Sequence, residues 1–581
     1  MQLYIYSMVG PSLIDEFIFW SIFLLLNYAH YLINYLFYFE KSSFLPYLSD
    51  IRKSSKPKIV SSGNMDFFRY SVEFSILILL SRIFPMGQVS VWIAALFLLL
   101  WIFNQYQFII RRIYETEPIL FNDLKLLKNG LAIVWHESRW KILGVLCVFV
   151  LSFFVLEKGF EWYLTKNQHI GISTGFLFIS MLWLMPVMYT LFKIKGFYVK
   201  YPNDIYLRNH FTVVELLENI KRSFQHYQIS RMRIGHLYRE KRMPIEIKLK
   251  DSAPNIHFLF IESYGSYYYK EPSIQHSAYN EWALFQKTIS KKGFSSVSNF
   301  SRSTTTGGQS WLTYSSVLFG YRLDNNTLFE NLLFDTDFRG SNSLLQLLKN
   351  CGYYNYNLNP INPISGINVP YDAMREFYSI DRWILSKDIQ YTGDQYGFGA
   401  CAPDQYSMNF TMDLIRKEAR EPYSFFYLTK NSHSPYIPPV LVDDWKSLNH
   451  SNGNTHIHKG FLKYPETDDY KKAIQYQLHN LSRFISDHGR DNDLFILIGD
   501  HQPPILSDPK QHGLETPVHV ISRDGHFLNH FKDYGFKHDI SAVNSFIRHE
   551  GFYSLFLQAF ANAYATSTEN IPDYEPEGIK L

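Results

Sequence analysis

Apolar residues fall along the chain in two distinct patterns. Up to about residue 200 they form long unbroken runs, near 15–38, 66–84, 87–110, 141–157 and 172–193. A helix that crosses a bilayer needs about 20 mostly apolar residues. The runs containing AALFLLLWIF and ISTGFLFISMLWLMPVMYTLF meet that requirement. The 66–84 run is weaker, because Arg69, Glu73 and Arg82 interrupt it. Five such runs within 200 residues predict a transmembrane domain over 1–200, with about five spans. The first run lacks a basic start and a small-residue cleavage site, so no cleavable leader is expected.

Between 201 and 250 the pattern changes. Arg208, Lys221, Arg222, Arg231, Arg233, Arg239, Lys241 and Arg242 recur, and FTVVELLENIKRSFQHY (211–227) spaces its apolar residues as a helix does. Two readings remain open for this basic linker: an amphipathic helix on the membrane surface, or a solvated helical connector. From 251 to 581 short apolar strands alternate with helices. The predicted strands include NIHFLFIE, FSSVSNF, YYNYNLN, SFFYLTK, DLFILIGD and TPVHVIS, with a long helix near 468–487. This alternation predicts an α/β domain around a mostly parallel sheet. In such sheets the site lies at the carboxyl ends of the strands.

Composition narrows the class. Aromatic residues make up 17% of the 581 residues and charged residues 19%, a balance that suits a partly membrane-embedded chain. A formal net charge of +3 gives no reason to expect a nucleic-acid partner. Cys147, Cys351 and Cys401 are too scattered for a disulfide framework or a thiolate metal site.

Polar residues at the predicted strand ends are the candidates for chemistry. The first strand ends in Glu262-Ser263, and a later one in Gly499-Asp500-His501-Gln502-Pro503-Pro504. Another runs into Asn431-Ser432-His433-Ser434-Pro435. Ser303-Thr304-Thr305-Thr306-Gly307-Gly308-Gln309-Ser310 enters a helix that runs to Gly320. Two carboxylates and a histidine form an oxygen/nitrogen set suited to zinc or manganese. A hydroxyl at a helix N-terminus beside two glycines is placed to act as a nucleophile on a phosphoryl group. Taken singly, each has a plainer role: Glu262 as a capping acid, Asp500-His501 as turn residues, the hydroxyls as an N-cap. Their joint occurrence at element ends favours the chemical reading.

The order of these motifs resembles the alkaline-phosphatase/sulfatase superfamily, and within it the lipoteichoic-acid-synthase and phosphoethanolamine-transferase branch. By motif the resemblance covers about 251–525; over 1–200 it is one of layout only. FLFIESYG and ILIGDHQPP match the motifs that supply metal ligands, which implies Glu262, Asp500 and His501 in that role. SHSPY matches a motif whose histidine faces the phosphate, which implies His433. GGQSWLTYSSVLFG fits the nucleophile segment with Ser310, which also stands at the metal, ten residues before Gly320; Thr306 is the second candidate. The resemblance further implies a divalent metal, zinc or manganese. It also implies a lipid-linked phosphodiester donor, a glycan or lipid acceptor, and transfer of phosphoethanolamine or phosphoglycerol through a covalent serine intermediate. A phosphodiesterase or sulfatase-like hydrolase, or an inactive ligand-binding protein on the same fold, are the rival readings. Three departures stand out. Serine replaces the commoner threonine, no Arg adjoins Asn359-Pro360-Ile361-Asn362, and Trp311-Leu312-Thr313-Tyr314 lacks the Pro and Arg of true sulfatases.

The branch places its catalytic domain outside the cytoplasmic membrane. Basic residues point the other way under the positive-inside rule. Arg52, Lys53, Lys56 and Lys58, with Arg111, Arg112, Lys125 and Lys128, would place the catalytic domain inside if there are five spans. The family layout is preferred, so the expectation is an integral inner-membrane protein with a periplasmic or extracellular catalytic domain.

Overall fold

The computed structural model describes residues 12–30, 71–113, 117–170, 172–181 and 212–239. It also describes 243–579, apart from 252, 336–337, 339–342, 364–368, 397–400, 452 and 455–464. The chain divides into two compact units. One comprises 1–225 without 112–116 and 125–136; the other is His226–Leu581 together with those two segments.

The first unit is helical. Its helices include Leu13–His30, Val72–Leu80 and Ser90–Ile113, and it takes most of the fifty-residue Leu120–His169 helix. Two aromatic-rich cores hold it, one around Phe74, Phe97 and Phe160 and one around Phe19, Phe23 and Phe176. Among the described residues one helix segment, Gly87–Gln107, is long and apolar enough to cross a membrane. The described residues thus match one of the five expected spans, and parts of the 15–38, 66–84 and 172–193 runs lie outside them. The 66–84 run yields a helix of nine residues, Val72–Leu80; at 1.5 Å per residue it is about 13 Å long, too short to span. The 141–157 run lies inside the Leu120–His169 helix, where Val148, Leu151, Phe154 and Val155 are exposed. The 15–38 and 172–193 runs are described only to residues 30 and 181, and the basic loop at 52–58 lies outside the described residues.

The second unit is built on an eight-stranded sheet. Its strands are β2 (Ile256–Ile261), β3 (Ser295–Arg302), β4 (Tyr354–Asn359), β5 (Arg382–Leu385), β6 (Tyr423–Leu428), β7 (Leu494–Gly499), β8 (Glu515–Ser522) and β9 (Phe546–Arg548). Their spatial order is β5-β4-β6-β2-β7-β8-β3-β9. All neighbours pair in parallel except β8, which is antiparallel to both β7 and β3. The mostly parallel expectation therefore holds, with one reversed strand. β1 (Glu246–Leu249) and β10 (Ala565–Glu569) form a separate antiparallel pair.

Both faces of the sheet are covered, which is why β2 and β7 read as continuous apolar runs and are buried at every position. One face packs against the Ser310–Phe319, Leu344–Asn350 and His549–Tyr564 helices, with Leu312, Leu347 and Phe556 in that core. The other packs against Gln275–Ser290, Asp404–Glu418 and Thr467–His488, through Trp282, Met408 and Phe484. The predicted helix near 468–487 is thus present, one residue longer at each end.

Candidate active site

Strand register creates the site. Ile261 of β2 pairs with Gly499 of β7, so the residues that follow, Glu262 and Asp500, leave the sheet side by side. Gly499 has no substitute here, because a Cβ would overlap the Tyr264 carbonyl. Ser263 takes φ 58°, a left-handed conformation uncommon for serine. Its N–H donates to Asp500 Oδ1 at 2.7 Å, and so does the His501 N–H at 2.7 Å. The Glu262 N–H donates to Thr429 Oγ1 (3.1 Å), and the Ser432 hydroxyl donates to the Glu262 carbonyl (2.6 Å). The loop after β6 thereby grips the residue after β2.

Glu262, Asp500 and His501 are buried, and one ligand atom from each lies within 4.8 Å of the others. His501 Nδ1 donates to the Gln502 carbonyl at 2.8 Å, which leaves Nε2 as the unprotonated nitrogen of a neutral ring. Nε2 stands 3.5 Å from Glu262 Oε1 and 3.3 Å from Asp500 Oδ2. Asp500 Oδ2 is buried and points into the cluster, where the Ser310 hydroxyl acts on this carboxylate. Three potential ligand atoms thus converge on one point. Burial and the neighbouring Glu262 charge push the Asp500 carboxyl well above the usual carboxylate range. Burial would also raise Glu262, but His433, His501 and Lys430 draw it below its usual value. A divalent cation fits this donor set, and oxygen plus imidazole ligands suit zinc or manganese.

Ser310 meets the cluster. It is the first residue of the Ser310–Phe319 helix. The preceding turn needs left-handed backbone at Gly308 (φ 69°) and Gln309 (φ 60°). Its Oγ lies 3.4 Å from Glu262 Oε2 and 3.3 Å from His501 Nε2. The helix closes at Gly320 with φ 70°, where a Cβ would overlap the Tyr553 ring.

Two of the other hydroxyls of the segment are engaged elsewhere. Ser303 donates to the Asp500 carbonyl (2.7 Å), and Thr305 shares a hydrogen bond with Thr313 (3.1 Å). Thr306 is buried, and its carbonyl accepts the Gln502 N–H at 3.0 Å. His433 is half-buried beyond β6, and its Nδ1 donates to the Ser434 carbonyl at 2.7 Å.

Two residues of the site escaped the sequence reading. Lys430 directly precedes the Asn431-Ser432-His433 segment, and the charges of Glu262, Asp404 and Asp500 act on it. Burial still holds its ammonium below the usual lysine value. Asp404, fully buried at the start of the Asp404–Glu418 helix, accepts from the Lys430 N–H (2.9 Å) and the Asn431 N–H (2.9 Å). Tyr427 and Gln477 side chains also donate to it. Asn431 Oδ1 returns a bond from the Asp404 N–H at 2.6 Å. In sequence Asp404 looks like an ordinary first-turn acid after Pro403; only the fold brings it under the His433 loop.

No protein-family model matches the chain, and no curated protein matches it. Several solved structures are similar to it. An alkaline-phosphatase-superfamily protein from Vibrio parahaemolyticus is 14% identical, over 55% of this chain and 69% of that one, with a TM-score of 0.35. The zinc-complexed C-terminal periplasmic domain of EcEptC from Escherichia coli is 14% identical, over 48% and 77%, with a TM-score of 0.32. The integral membrane lipooligosaccharide phosphoethanolamine transferase A from Neisseria meningitidis is 12% identical, over 97% of both chains, with a TM-score of 0.42.

Asp404→Asn would turn an amide NH₂ toward buried donors. It is expected to destabilise the protein by roughly 2–4 kcal/mol, the cost of unsatisfied buried polar groups. Denaturant unfolding of the full chain measures this. A change below about 0.5 kcal/mol, the range of neutral surface substitutions, would show that the network does not hold the loop.

Proposed function

We propose that the chain is a membrane-bound, metal-dependent transferase that moves a phospho-head-group from a lipid donor to a glycan or lipid acceptor. The observation that carries this reading is the contact of Ser310 Oγ with both Glu262 and His501 at a helix N-terminus. Glu262, Asp500 and His501 would hold a divalent ion, zinc or manganese. When bound, it would lower the pKa of the Ser310 hydroxyl and polarise a phosphoryl oxygen.

Ser310 Oγ attacks the phosphorus of the donor phosphodiester. The new Oγ–P bond forms as the P–O bond to the lipid breaks, and the proton released from Ser310 Oγ passes to the departing lipid oxygen. The first-turn N–H groups of the Ser310–Phe319 helix favour the developing anion. His433 faces the phosphate, and Lys430 adds positive charge beside Glu262 where the family's expected Arg is missing. In the second step an acceptor hydroxyl attacks the phosphorus and releases Ser310. Phosphoethanolamine and phosphoglycerol are the head groups that the motif resemblance suggests. Water as acceptor would make the same site a phosphodiesterase, the second reading.

Ser310→Ala should lower turnover by about three orders of magnitude or more and abolish a phospho-head-group adduct on the 303–310 peptide, read by mass spectrometry from the native membrane. Thr306→Ala should retain both. An active Ser310→Ala beside an inactive Thr306→Ala would move the nucleophile to Thr306.

We also propose that the catalytic unit faces outward from the inner membrane. Asp444 is exposed, so Asp444→Cys should react with a membrane-impermeant maleimide on intact cells, above the level of the unsubstituted chain. Protection until lysis would place the domain inside.

A further inference from the structure

The Thr212–Arg239 helix wears its residues inside out. Thr212, Glu215, Asn219, Ser223 and Ser230, at successive three- or four-residue steps but for one seven-residue step, are all at most 2% exposed. They are buried because they are bonded. Asn219 accepts the Leu120 N–H (2.9 Å) and donates to the Pro118 carbonyl (2.9 Å). Ser223 accepts the Phe121 N–H (3.4 Å), Glu215 pairs with Arg222 (2.8 Å), and Ser230 donates to Asn325 (3.3 Å). The opposite face carries Val214, Leu217, Ile220, Phe224, Tyr227 and Met232. Leu217 is 61% exposed, Phe224 55% and Met232 64%.

At 100° per residue these six side chains form one stripe of about 140°, centred opposite the bonded polar face. A solvated connector has the reverse arrangement, with its apolar stripe inward. The inward face is already satisfied by hydrogen bonds, so turning the helix over would break them without relieving the apolar surface. Something apolar must cover the stripe.

We infer that its occupant is the acyl-chain boundary of an anionic lipid surface, with the helix lying in the membrane interface. The helix carries five basic residues against two acidic ones. Arg222 and Arg233 are neutralised by Glu215 and Asp324. Lys221 and Arg231 lie about 50° and about 30° from the stripe's centre, on opposite sides, and the Arg231 guanidinium rests 5.9 Å from the Tyr227 ring. Apolar side chains flanked by basic ones are the pattern of a helix at an anionic headgroup layer. The same chain supplies the apolar Gly87–Gln107 helix, so a lipid surface is within the protein's reach. This inference does not depend on the catalytic reading.

The test uses the unsubstituted full chain in vesicles of phosphatidylglycerol and phosphatidylethanolamine doped with a phosphatidylglycerol that carries a diazirine in its acyl chain. After irradiation, lipid adducts are mapped by mass spectrometry. The expected result is adducts within Gly87–Gln107 and on 214–232, concentrated at Leu217, Phe224 and Met232, with none on the exposed 443–448 segment. A Phe224→Glu, Leu217→Glu double variant should lose the 214–232 adducts at least tenfold and keep those of Gly87–Gln107. Labelling of Gly87–Gln107 with none on 212–239 would overturn the inference and assign the stripe to a protein partner. Labelling of 443–448 as strongly as of 214–232 would overturn it as well.

Discussion

Two carboxylates held in one buried corner repel each other unless a positive charge joins them or one is neutralised, and that constraint organises the second unit. The Ile261–Gly499 pairing forces Glu262 and Asp500 together. Burial and mutual repulsion then drive Asp500 toward its neutral form. His501 relieves the repulsion only in part: it helps to lower Glu262, but its Nδ1 proton is committed to the Gln502 carbonyl and burial lowers the basicity of the ring. The divalent cation we propose would turn the repulsion into coordination.

The surrounding structure keeps these groups from moving apart. Backbone N–H groups of Ser263 and His501 fix one oxygen of Asp500 and leave the other to the cluster. Thr429 and Ser432 fix the backbone of Glu262, and their loop is tied in turn to Asp404. Ser303 holds the Asp500 carbonyl, which ties the segment leading to Ser310 to the same corner. Each support comes from a different strand end, so the site exists only when β2, β3, β6 and β7 are in register.

What the sequence made legible was what periodicity and punctuation encode. Continuous apolar runs located β2, β6 and β7, and the Gly-Gly turn with Gly320 ten residues after Ser310 located the Ser310–Phe319 helix. Pairing is a long-range matter, so β8 was read as a strand but its reversed direction was not visible, and short β5 and β9, whose apolar content is too small to stand out, were not seen. Asp404 and Lys430 were missed for the same reason. Their neighbours in space, Gln477 and Glu262, are 73 and 168 positions away in sequence. In the helical unit, the apolar runs alone did not show where helices end: of the 66–84 run, the described residues hold one nine-residue helix, Val72–Leu80. The 211–227 pattern showed an apolar stripe, but only the hydrogen bonds of Asn219 and Ser223 show which way it faces.

The central claim is that Glu262, Asp500 and His501 together hold a divalent ion. Its most direct test is metal titration of the full-length chain, stripped with a chelator and purified in detergent, against the Asp500→Asn variant. The native chain should bind zinc or manganese stoichiometrically, with affinity falling by more than about tenfold in the variant, as expected when a site loses a ligand or its support. Undiminished metal binding by a folded Asp500→Asn chain, or no binding by the native one, would contradict the account.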